Sequence, residues 1–321
     1  MLDKIAEYIR SNRNIIEKTE ISPFVQNINK NSYKSPRIFS DIGQDSAAIK
    51  NDNDMLTLIT TDRIKTSYIE IFPSGAGFSS ILVGVDDIYA CGGKPLAVSI
   101  IISFRDQIIG QKMIDGICKG SKLFEVPIVR GHTNIKEFNE LSSTVIGEIK
   151  RDEYISATNA QNRDKIILAV DFSGKVGRAS KLHWDTVTYK SSEEVLKKRK
   201  SMNEIAKLKI VNSAKDISNG GIFGTILQLI NYSKVGANIS VDKIEIPPLL
   251  KNNKYTLETY IQMYLTTSYI LTTQQEHCEE IIKIFNNHGL TTTVIGEIIT
   301  KNVLKINDGK DSIEVIDLKN H

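Results

Sequence analysis

The stretch Ile81-Leu-Val-Gly-Val-Asp-Asp-Ile-Tyr-Ala-Cys-Gly-Gly-Lys-Pro95 places two adjacent acids inside an apolar run that ends in two glycines. Its apolar residues recur at the spacing of one helical face, so the run predicts a helix. On that helix Asp86 and Asp87 point away from the apolar stripe. Such an acidic front suits a hard cation such as Mg²⁺, which prefers oxygen ligands. A solvated surface is equally compatible with this stretch alone, because aspartate is usually exposed.

Composition limits the class of protein. The chain has 321 residues, 40% hydrophobic and 25% charged, which is typical of globular proteins and long enough for two domains. Its 41 basic and 38 acidic residues nearly balance, so no nucleic-acid partner is expected. No apolar run is long enough to span a membrane, and the N-terminus lacks a signal core. The cysteines, Cys91, Cys118 and Cys278, are far apart and odd in number, which favours a reducing, cytoplasmic location.

The first half of the chain alternates between helical and strand patterns. Residues 1–30 predict a helix, and the polar segment Asn31–Ser40 predicts a loop. Met55–Asp62 predicts a strand, and an acid where a strand ends is a favoured ligand contact, although it is also a common turn residue. Leu96–Phe104 predicts a buried strand. Gln111–Phe124 predicts a helix with Met113, Ile114, Ile117 and Cys118 facing inward.

A polar stretch, Lys150–Arg163, separates the two halves. It predicts an N-terminal helix and mobile loop over 1–36, one domain over 37–150 and a second domain over 164–321. The sequence Thr144-Val-Ile-Gly-Glu-Ile149 recurs as Thr293-Val-Ile-Gly-Glu-Ile298. This recurrence is consistent with two domains that each close with a similar edge strand.

In the second half, a strand predicted over Ile210–Ala214 leads into Lys215-Asp216 and then through Ser218-Asn-Gly-Gly221 into an apolar helix. Ser218 or Asn219 is expected to cap that helix. The glycines let a ligand approach the free N–H groups at the positive end of the helix, or they permit close packing. The order of acid, glycines and helix favours anion or metal binding. By itself, His132 is best explained as a turn residue beside a glycine.

Five motifs together resemble one superfamily over roughly residues 38 to 300. It is the aminoimidazole ribonucleotide synthetase-like ATP-binding group, which includes thiamine-monophosphate kinase, selenophosphate synthetase and a hydrogenase-maturation dehydratase. The second half looks most like the synthetase-related methanogenesis marker branch. The motifs are Gly43-Gln-Asp-Ser-Ala-Ala48, Thr60-Thr-Asp62, Asp86-Asp-Ile-Tyr-Ala-Cys-Gly-Gly-Lys-Pro95, Arg130-Gly-His-Thr133 and Asp216-Ile-Ser-Asn-Gly-Gly221.

The resemblance implies a two-domain α/β (α+β) fold whose N-terminal domains pair into a β-barrel across a homodimer. It also implies ATP in a cleft, with its phosphates bridged by Mg²⁺ to carboxylates, and a small-molecule substrate. The implied metal ligands are Asp45, Asp62, Asp87 and Asp216. The implied cofactor-binding residues are Lys34, Arg37, Asp45, Thr61, Asp62, Asp87, Gly131, His132, Thr133, Gly220 and Gly221.

Several positions depart from the family pattern. Gln44, His132 and Asn219 stand where many members have aspartate, and Gly84 stands where many have asparagine. The three aspartate replacements remove negative charge, so the metal site is expected to be reduced or differently placed. No cysteine precedes Cys91, which argues against selenophosphate synthesis, where a reactive N-terminal cysteine is expected. The C-terminal cysteine of the dehydratase is also missing, which argues against that reaction.

Three hypotheses about function follow. The leading one is an ATP- and Mg²⁺-dependent enzyme that moves phosphate onto an oxygen of a small molecule, with a thiamine-monophosphate kinase-like phosphotransferase as the alternative. The second is a catalytically silent nucleotide-binding regulatory protein. The third is that Asp86 and Asp87 are surface acids. Under the leading hypothesis Asp87 is the principal ligand, and Asp86→Asn is expected to be the milder change.

Overall fold

A computed structural model of the protein describes residues 2–318. The helices are α1 (Leu2–Ser11), α2 (Arg13–Asn31), α3 (Thr66–Ile71), α4 (Pro73–Ala90), α5 (Gln107–Phe124), α6 (Ser192–Leu208), α7 (Gly221–Ser233), α8 (Pro248–Asn252), α9 (Leu257–Tyr260) and α10 (Cys278–Asn287). The strands of the first half are β1 (Ile38–Ser40), β2 (Ala47–Lys50), β3 (Met55–Arg63), β4 (Lys94–Phe104), β5 (Ile128–Ile135) and β6 (Glu140–Lys150). Those of the second half are β7 (Lys165–Val170), β8 (Lys175–Val176), β9 (His183–Asp185), β10 (Val211–Asp216), β11 (Gly236–Ser240), β12 (Tyr264–Leu265), β13 (Ser268–Thr273), β14 (Thr291–Ile299), β15 (Val303–Asn307) and β16 (Ser312–Asp317). Within this part of the chain no helix combines the length and apolarity that a membrane crossing requires.

The first half of the chain forms a six-stranded sheet in the order β1-β2-β3-β6-β4-β5. The β4–β5 pair is parallel and the other neighbours are antiparallel. Helices α4 and α5 bury one face of the sheet. Leu96 and Ile101 on β4 and Val129 on β5 remain exposed, so β4 is buried on one face only and the prediction of a buried strand was half right. The sheet does not close on itself within residues 2–318, because β1 and β5 each pair with a single neighbour.

The second half forms a seven-stranded sheet in the order β10-β13-β7-β14-β11-β15-β16. Alternate residues of β7 point to opposite faces, as the pleat requires. Ile167 and Ala169 join the core that contains α4, α6 and α10, whereas Ile166 and Leu168 join the core that contains α1 and α7. The chain is therefore a mixed α/β fold in which one hydrophobic core is shared by both halves.

Helix α4 lies between the two halves and is buried on most of its surface, which is why its apolar residues exceed a single stripe. Its crossing with α5 is close: a Cβ added at Gly77 would lie 2.1 Å from the Met113 carbonyl oxygen, and one at Gly116 would lie 1.9 Å from that of Ser74. Glycine at both positions lets the two backbones touch. Position 84 is similar, since a Cβ on Gly84 would lie 2.4 Å from Val145 Cγ2.

Asp86 is a buried structural residue, and the surface-acid hypothesis is wrong for it. Arg199 Nε on α6 donates to Asp86 Oδ1 at 2.7 Å, and both side chains are buried, at 0% and 4% exposure. The guanidinium also donates to the Val195 carbonyl oxygen at 3.2 Å and lies 4.9 Å from the centre of the Phe124 ring. This contact ties α4 and α5 of the first half to α6 of the second.

Some local predictions were wrong for reasons of topology. The repeated Thr-Val-Ile-Gly-Glu-Ile sequences lie in β6 and β14, which are interior strands and not edge strands. Both repeats bring a glycine where a strand meets a neighbour closely, 2.9 Å from the Lys94 carbonyl oxygen at Gly147 and 2.3 Å from that of Asn238 at Gly296. On α5, Ile114 is partly exposed and Cys118 is exposed, so only Met113 and Ile117 face inward.

The N-terminal helices pack against the second half. Leu2, Ile5 and Ile9 of α1 are buried in the core beneath α7 and the end of the seven-stranded sheet. Arg10 Nε donates to the Val315 carbonyl oxygen at 2.8 Å and Arg10 Nη2 to that of Glu314 at 2.9 Å. The first element of the chain is therefore held by its last strand, β16.

We expect Arg199→Met to lower the free energy of unfolding by about 3–5 kcal/mol, because it leaves the Asp86 carboxylate buried without its partner. Urea denaturation followed by circular dichroism measures the change. The control is Asp152→Asn, which removes the exposed ion pair with Lys209 and should change the urea midpoint little. An unchanged midpoint for Arg199→Met would show that the buried pair does not hold the halves together.

Candidate functional site

A cleft of about 820 Å³ opens between the two halves of the chain. Its walls come from β3, α3 and α4 of the first half and from the ends of β10, β9 and β12 of the second. Its lining includes the carboxylates of Asp45, Asp62, Asp87 and Asp216 (the acidic end) and the rings of Tyr68, His183 and Tyr264 (the aromatic end).

Three carboxylates converge at the first end, from three separate elements. Asp45 lies in the loop between β1 and β2, Asp87 on the last turns of α4, and Asp216 at the end of β10. One carboxylate oxygen from each lies within 4.8 Å of the others. Several close carboxylate oxygens form the donor set that hard divalent cations prefer, so this end fits such an ion.

Asp62 extends the acidic end along β3. Thr60 Oγ1 donates to Asp87 Oδ2 at 2.6 Å, which fixes the orientation of the Asp87 carboxylate. Asp62 Oδ2 is buried and has no hydrogen-bond partner. Burial, and then the charges of Asp62, Asp216 and Asp45, raise the pKa of Asp87 well above its ordinary value. Burial likewise raises the pKa of Asp62. Keeping both carboxyl groups ionised therefore costs free energy, and a bound cation would reduce that cost.

Lys215 is the site residue that sequence reasoning missed. Its ammonium pairs with Asp45, and both side chains are buried, at 7% and 5% exposure. Burial alone would lower the pKa of Lys215, yet Asp45, Asp216 and Asp87 raise it above its usual value. The strand was predicted to end at Ala214, which placed Lys215 in a loop. In the structure β10 continues to Asp216, and Lys215 is buried within it, where a lysine is almost always paired with an acid.

Gln44 has a structural explanation. Its side-chain oxygen accepts from the Ala157 N–H at 2.7 Å, and its amide donates to the hydroxyls of Ser156 and Thr158 at 3.1 Å each. An amide can serve both donors and acceptors, which a carboxylate cannot. The glutamine therefore fixes the Asp45 loop onto the segment between the two sheets.

The other predicted residues divide into two groups. Thr61 and Gly220 line the cleft together with the acids. Gly220, with φ of 100°, is the N-cap of α7, so the expected capping by Ser218 or Asn219 was wrong. Gly221 allows close packing, since a Cβ there would lie 2.1 Å from the Ile261 carbonyl oxygen.

The second group lies elsewhere in the chain. Lys34 is exposed and contacts Asn29, and exposed Arg37 donates to the Lys50 carbonyl oxygen at 3.4 Å. Gly131, His132 and Thr133 lie on β5, the exposed edge strand of the six-stranded sheet. None of these five lines the cleft.

The aromatic end of the cleft is lined by Tyr68, His183 and Tyr264. The rings of His183 and Tyr264 lie with centroids 5.4 Å apart and planes at 42°. His183 Nε2 is buried without a hydrogen-bond partner, and burial lowers the pKa of the imidazole. The sequence signal was the His183-Trp184 segment, whose chemistry was not recognised.

In the presence of a chelator, Asp87→Asn should raise the melting temperature at pH 8. The raised pKa of Asp87 means that the folded protein takes up its proton more readily than the unfolded chain, so ionised Asp87 destabilises the fold. That penalty is lost as the pH falls through the folded pKa towards the ordinary value of about 4. The advantage of the variant over wild type should therefore shrink on acidification.

Thermal melts from pH 8 to pH 5 check this, with Asp52→Asn in the exposed β2–β3 turn as control. The control should differ little from wild type at every pH. A variant less stable than wild type at pH 8 would contradict the like-charge account of the acidic end.

Comparison with known proteins matches both halves of the chain. Models of the N-terminal and C-terminal domains of AIR synthase related protein match residues 43–149 and 169–309. An uncharacterized protein of Methanocaldococcus jannaschii is 34% identical over 321 residues, 99% of this chain and 97% of the relative. A thiamine-monophosphate kinase of Buchnera aphidicola is 26% identical over 259 residues, 77% of this chain and 78% of the relative.

Among solved structures, PurL of T. maritima in complex with ATP superposes with a TM-score of 0.73 at 14% identity. The match covers 88% of this chain but 47% of PurL, so the chain spans about half the length of that protein. At this identity the likeness concerns the fold. The two domain models, together with a relative matched over nearly the whole chain, show that the chain belongs to the AIR synthase related protein family.

Proposed function

We propose that the chain binds ATP with Mg²⁺ in the cleft and transfers phosphate to an oxygen of a small molecule. The observation that carries the proposal is the convergence of Asp45, Asp87 and Asp216 beside the unpartnered Asp62 Oδ2. The relatives support it, because one is named a thiamine-monophosphate kinase and another was solved with ATP. The kinase name also favours a thiamine-monophosphate kinase-like reaction as the second candidate.

In this proposal each residue has a positioning or charge-neutralising role. Asp45, Asp87, Asp216 and Asp62 hold the magnesium, which neutralises the phosphate oxygens when it is bound. Lys215 adds a fixed positive charge at the same end. The net negative charge is therefore smaller than that of the four acids alone, and less metal charge is needed to neutralise it. Gly220, the N-cap of α7, lines the cleft near these acids, whereas the N–H groups of Gly221 and Ile222 already donate to the carbonyl oxygens of Ser218 and Ile261 at 3.0 and 3.1 Å. Phosphoryl transfer depends mainly on such positioning and electrostatics.

The proposed transfer replaces one bond to the γ-phosphorus by another. The acceptor oxygen forms a bond to the γ-phosphorus, the bond from that phosphorus to the β,γ-bridging oxygen breaks, and ADP leaves. The proton of the acceptor hydroxyl passes to water. An ADP-release assay over a panel of small-molecule alcohols and acids tests the proposal. Tight binding of Mg·ATP without turnover on any acceptor would instead favour a catalytically silent nucleotide-binding protein.

We expect Asp87→Asn to weaken Mg·ATP binding about tenfold to hundredfold, since a charge-assisted contact is worth about 1.5–3 kcal/mol. Calorimetric titration measures the affinity. Asp86→Asn is no longer a suitable control, because it breaks the buried pair with Arg199. Asp52→Asn on the exposed turn replaces it and should bind as wild type does. Equal affinity in Asp87→Asn and wild type would contradict the ligand assignment.

The exposed apolar face of the six-stranded sheet supports a homodimer. Leu96, Ile101 and Val129 expose apolar side chains on the adjacent strands β4 and β5. Exposed apolar residues grouped on neighbouring strands are a feature of interaction surfaces. In such a dimer the edge strand β5, with Gly131, His132 and Thr133, would lie near the partner. Their role in cofactor binding, and that of Lys34 and Arg37, stays a prediction for the assembled protein.

Sedimentation should find a dimer at micromolar concentration. The double variant Ile101→Glu, Val129→Glu should be monomeric, because four charges would be buried across a symmetric interface. Ile108→Glu, at an exposed position on α5, is the control and should remain dimeric. A monomeric wild type would refute the dimer.

A further inference from the structure

His183 lines the aromatic end of the cleft, yet its Nε2 atom is buried and has no hydrogen-bond partner. Buried polar atoms in folded proteins are almost always paired, so an exception calls for an explanation. Of the buried side-chain atoms without a partner in residues 2–318, two belong to residues of this cleft, His183 Nε2 and Asp62 Oδ2. Asp62 belongs to the acidic end. His183 Nε2 lies outside that cation site, so the group that pairs with it must come from a different part of a ligand.

The imidazole is held by a fixed frame. Strand β9 pairs in parallel with β12, which sets His183 opposite Tyr264. The neighbouring Trp184 is fully buried, and its Nε1 donates to the Asp171 carbonyl oxygen at 2.8 Å. A Cβ at Gly177 would lie 2.6 Å from His183 Nδ1, so glycine leaves the space that the ring occupies. A ring positioned by this many contacts loses little freedom when it binds a ligand.

The aromatic end adjoins the acidic end. The Leu265 N–H donates to the Ile217 carbonyl oxygen at 3.4 Å, which brings Tyr264 close to Asp216 in the lining of the same cleft. In ATP, the adenine is separated from the γ-phosphate by the ribose and two phosphates, whereas the acceptor must touch the γ-phosphorus. A subsite beside the carboxylates therefore suits the acceptor better than the adenine.

We propose that the aromatic end binds the phosphate acceptor, a small molecule in which a flat ring carries the reacting hydroxyl, and that His183 Nε2 hydrogen-bonds to it. The rings of Tyr68, His183 and Tyr264 supply stacking and edge contacts for such a ring. Gln262 also lines the cleft, with its Nε2 donating to the Glu258 carbonyl oxygen at 2.6 Å. This inference rests on the proposed function, because it assigns the second substrate of that reaction.

The probe for the test is 3-hydroxymethylpyridine, with glycerol as the ring-free comparison. Its hydroxyl can donate or accept, so it matches either tautomer of His183. Affinity is measured by ligand-observed NMR with Mg²⁺ and a non-hydrolysable ATP analogue present. Wild type should bind the pyridine at least tenfold more tightly than glycerol. His183→Leu should lose at least tenfold of the pyridine affinity, and His183→Gln, which keeps a hydrogen-bonding group, should lose less.

The control variant is His288→Gln, which changes a histidine held between Lys197 and Glu204 outside the cleft. It should bind the pyridine as wild type does. Affinity for Mg·ATP should stay within twofold of wild type in all three variants. Thermal melts establish that each variant is folded.

Three outcomes would overturn the inference. These are no pyridine binding by wild type, equal binding by His183→Leu and wild type, or a loss in His183→Leu of affinity for Mg·ATP but not for Mg·tripolyphosphate, which would place the adenine at this end. The first two leave the proposed function standing if Mg·ATP binds. Failure of Mg·ATP to bind while the pyridine still depends on His183 would sink the proposed function and keep the ring subsite.

Discussion

The constraint on which the structure depends is the mutual repulsion of carboxylates buried in one cleft between two halves of the chain. Asp45, Asp62, Asp87 and Asp216 come from both halves, so their like charges push the halves apart. Two buried cations oppose that force, Lys215 against Asp45 and Arg199 against Asp86. The shared hydrophobic core beneath α4 supplies the remaining attraction. A site of this charge can persist without its ligand because the surrounding fold holds it.

The two adjacent aspartates of α4 have different roles. Successive helical residues point about 100° apart, so one acid can face the neighbouring helix while the next faces the cleft. Asp86 serves packing and Asp87 serves the site. The spacing of apolar residues cannot distinguish Asp86 from Asp87, because it shows only that neither belongs to the apolar stripe. Their difference depends on Arg199, which is 113 residues away in the sequence.

Features that depend on neighbouring residues can be predicted from the sequence, whereas roles that depend on distant partners cannot. Strand ends, glycine turns and the helix predicted within Ile81–Pro95, which is the second half of α4, are local, and the acids they carry follow from local patterns and from the family resemblance. Lys215, Gln44 and His183 act through partners distant in sequence, so their roles depend on tertiary contacts. The repeated Thr-Val-Ile-Gly-Glu-Ile strands illustrate the limit, since identical letters do not specify which neighbours a strand will have. Burial of β4 on one face alone likewise depends on what covers its sheet.

The docking of α1 onto β16 has a consequence for how the chain is made. Arg10 donates to the carbonyl oxygen of Val315, 305 residues later, so this binding surface does not exist until residue 315 has left the ribosome. At typical synthesis rates the delay is on the order of tens of seconds. During that time the apolar side of α1 lacks part of its native cover. Contacts of such large sequence separation also slow folding, because the loop entropy is lost before the contact forms. Docking of α1 is therefore late relative to the synthesis of α1 itself.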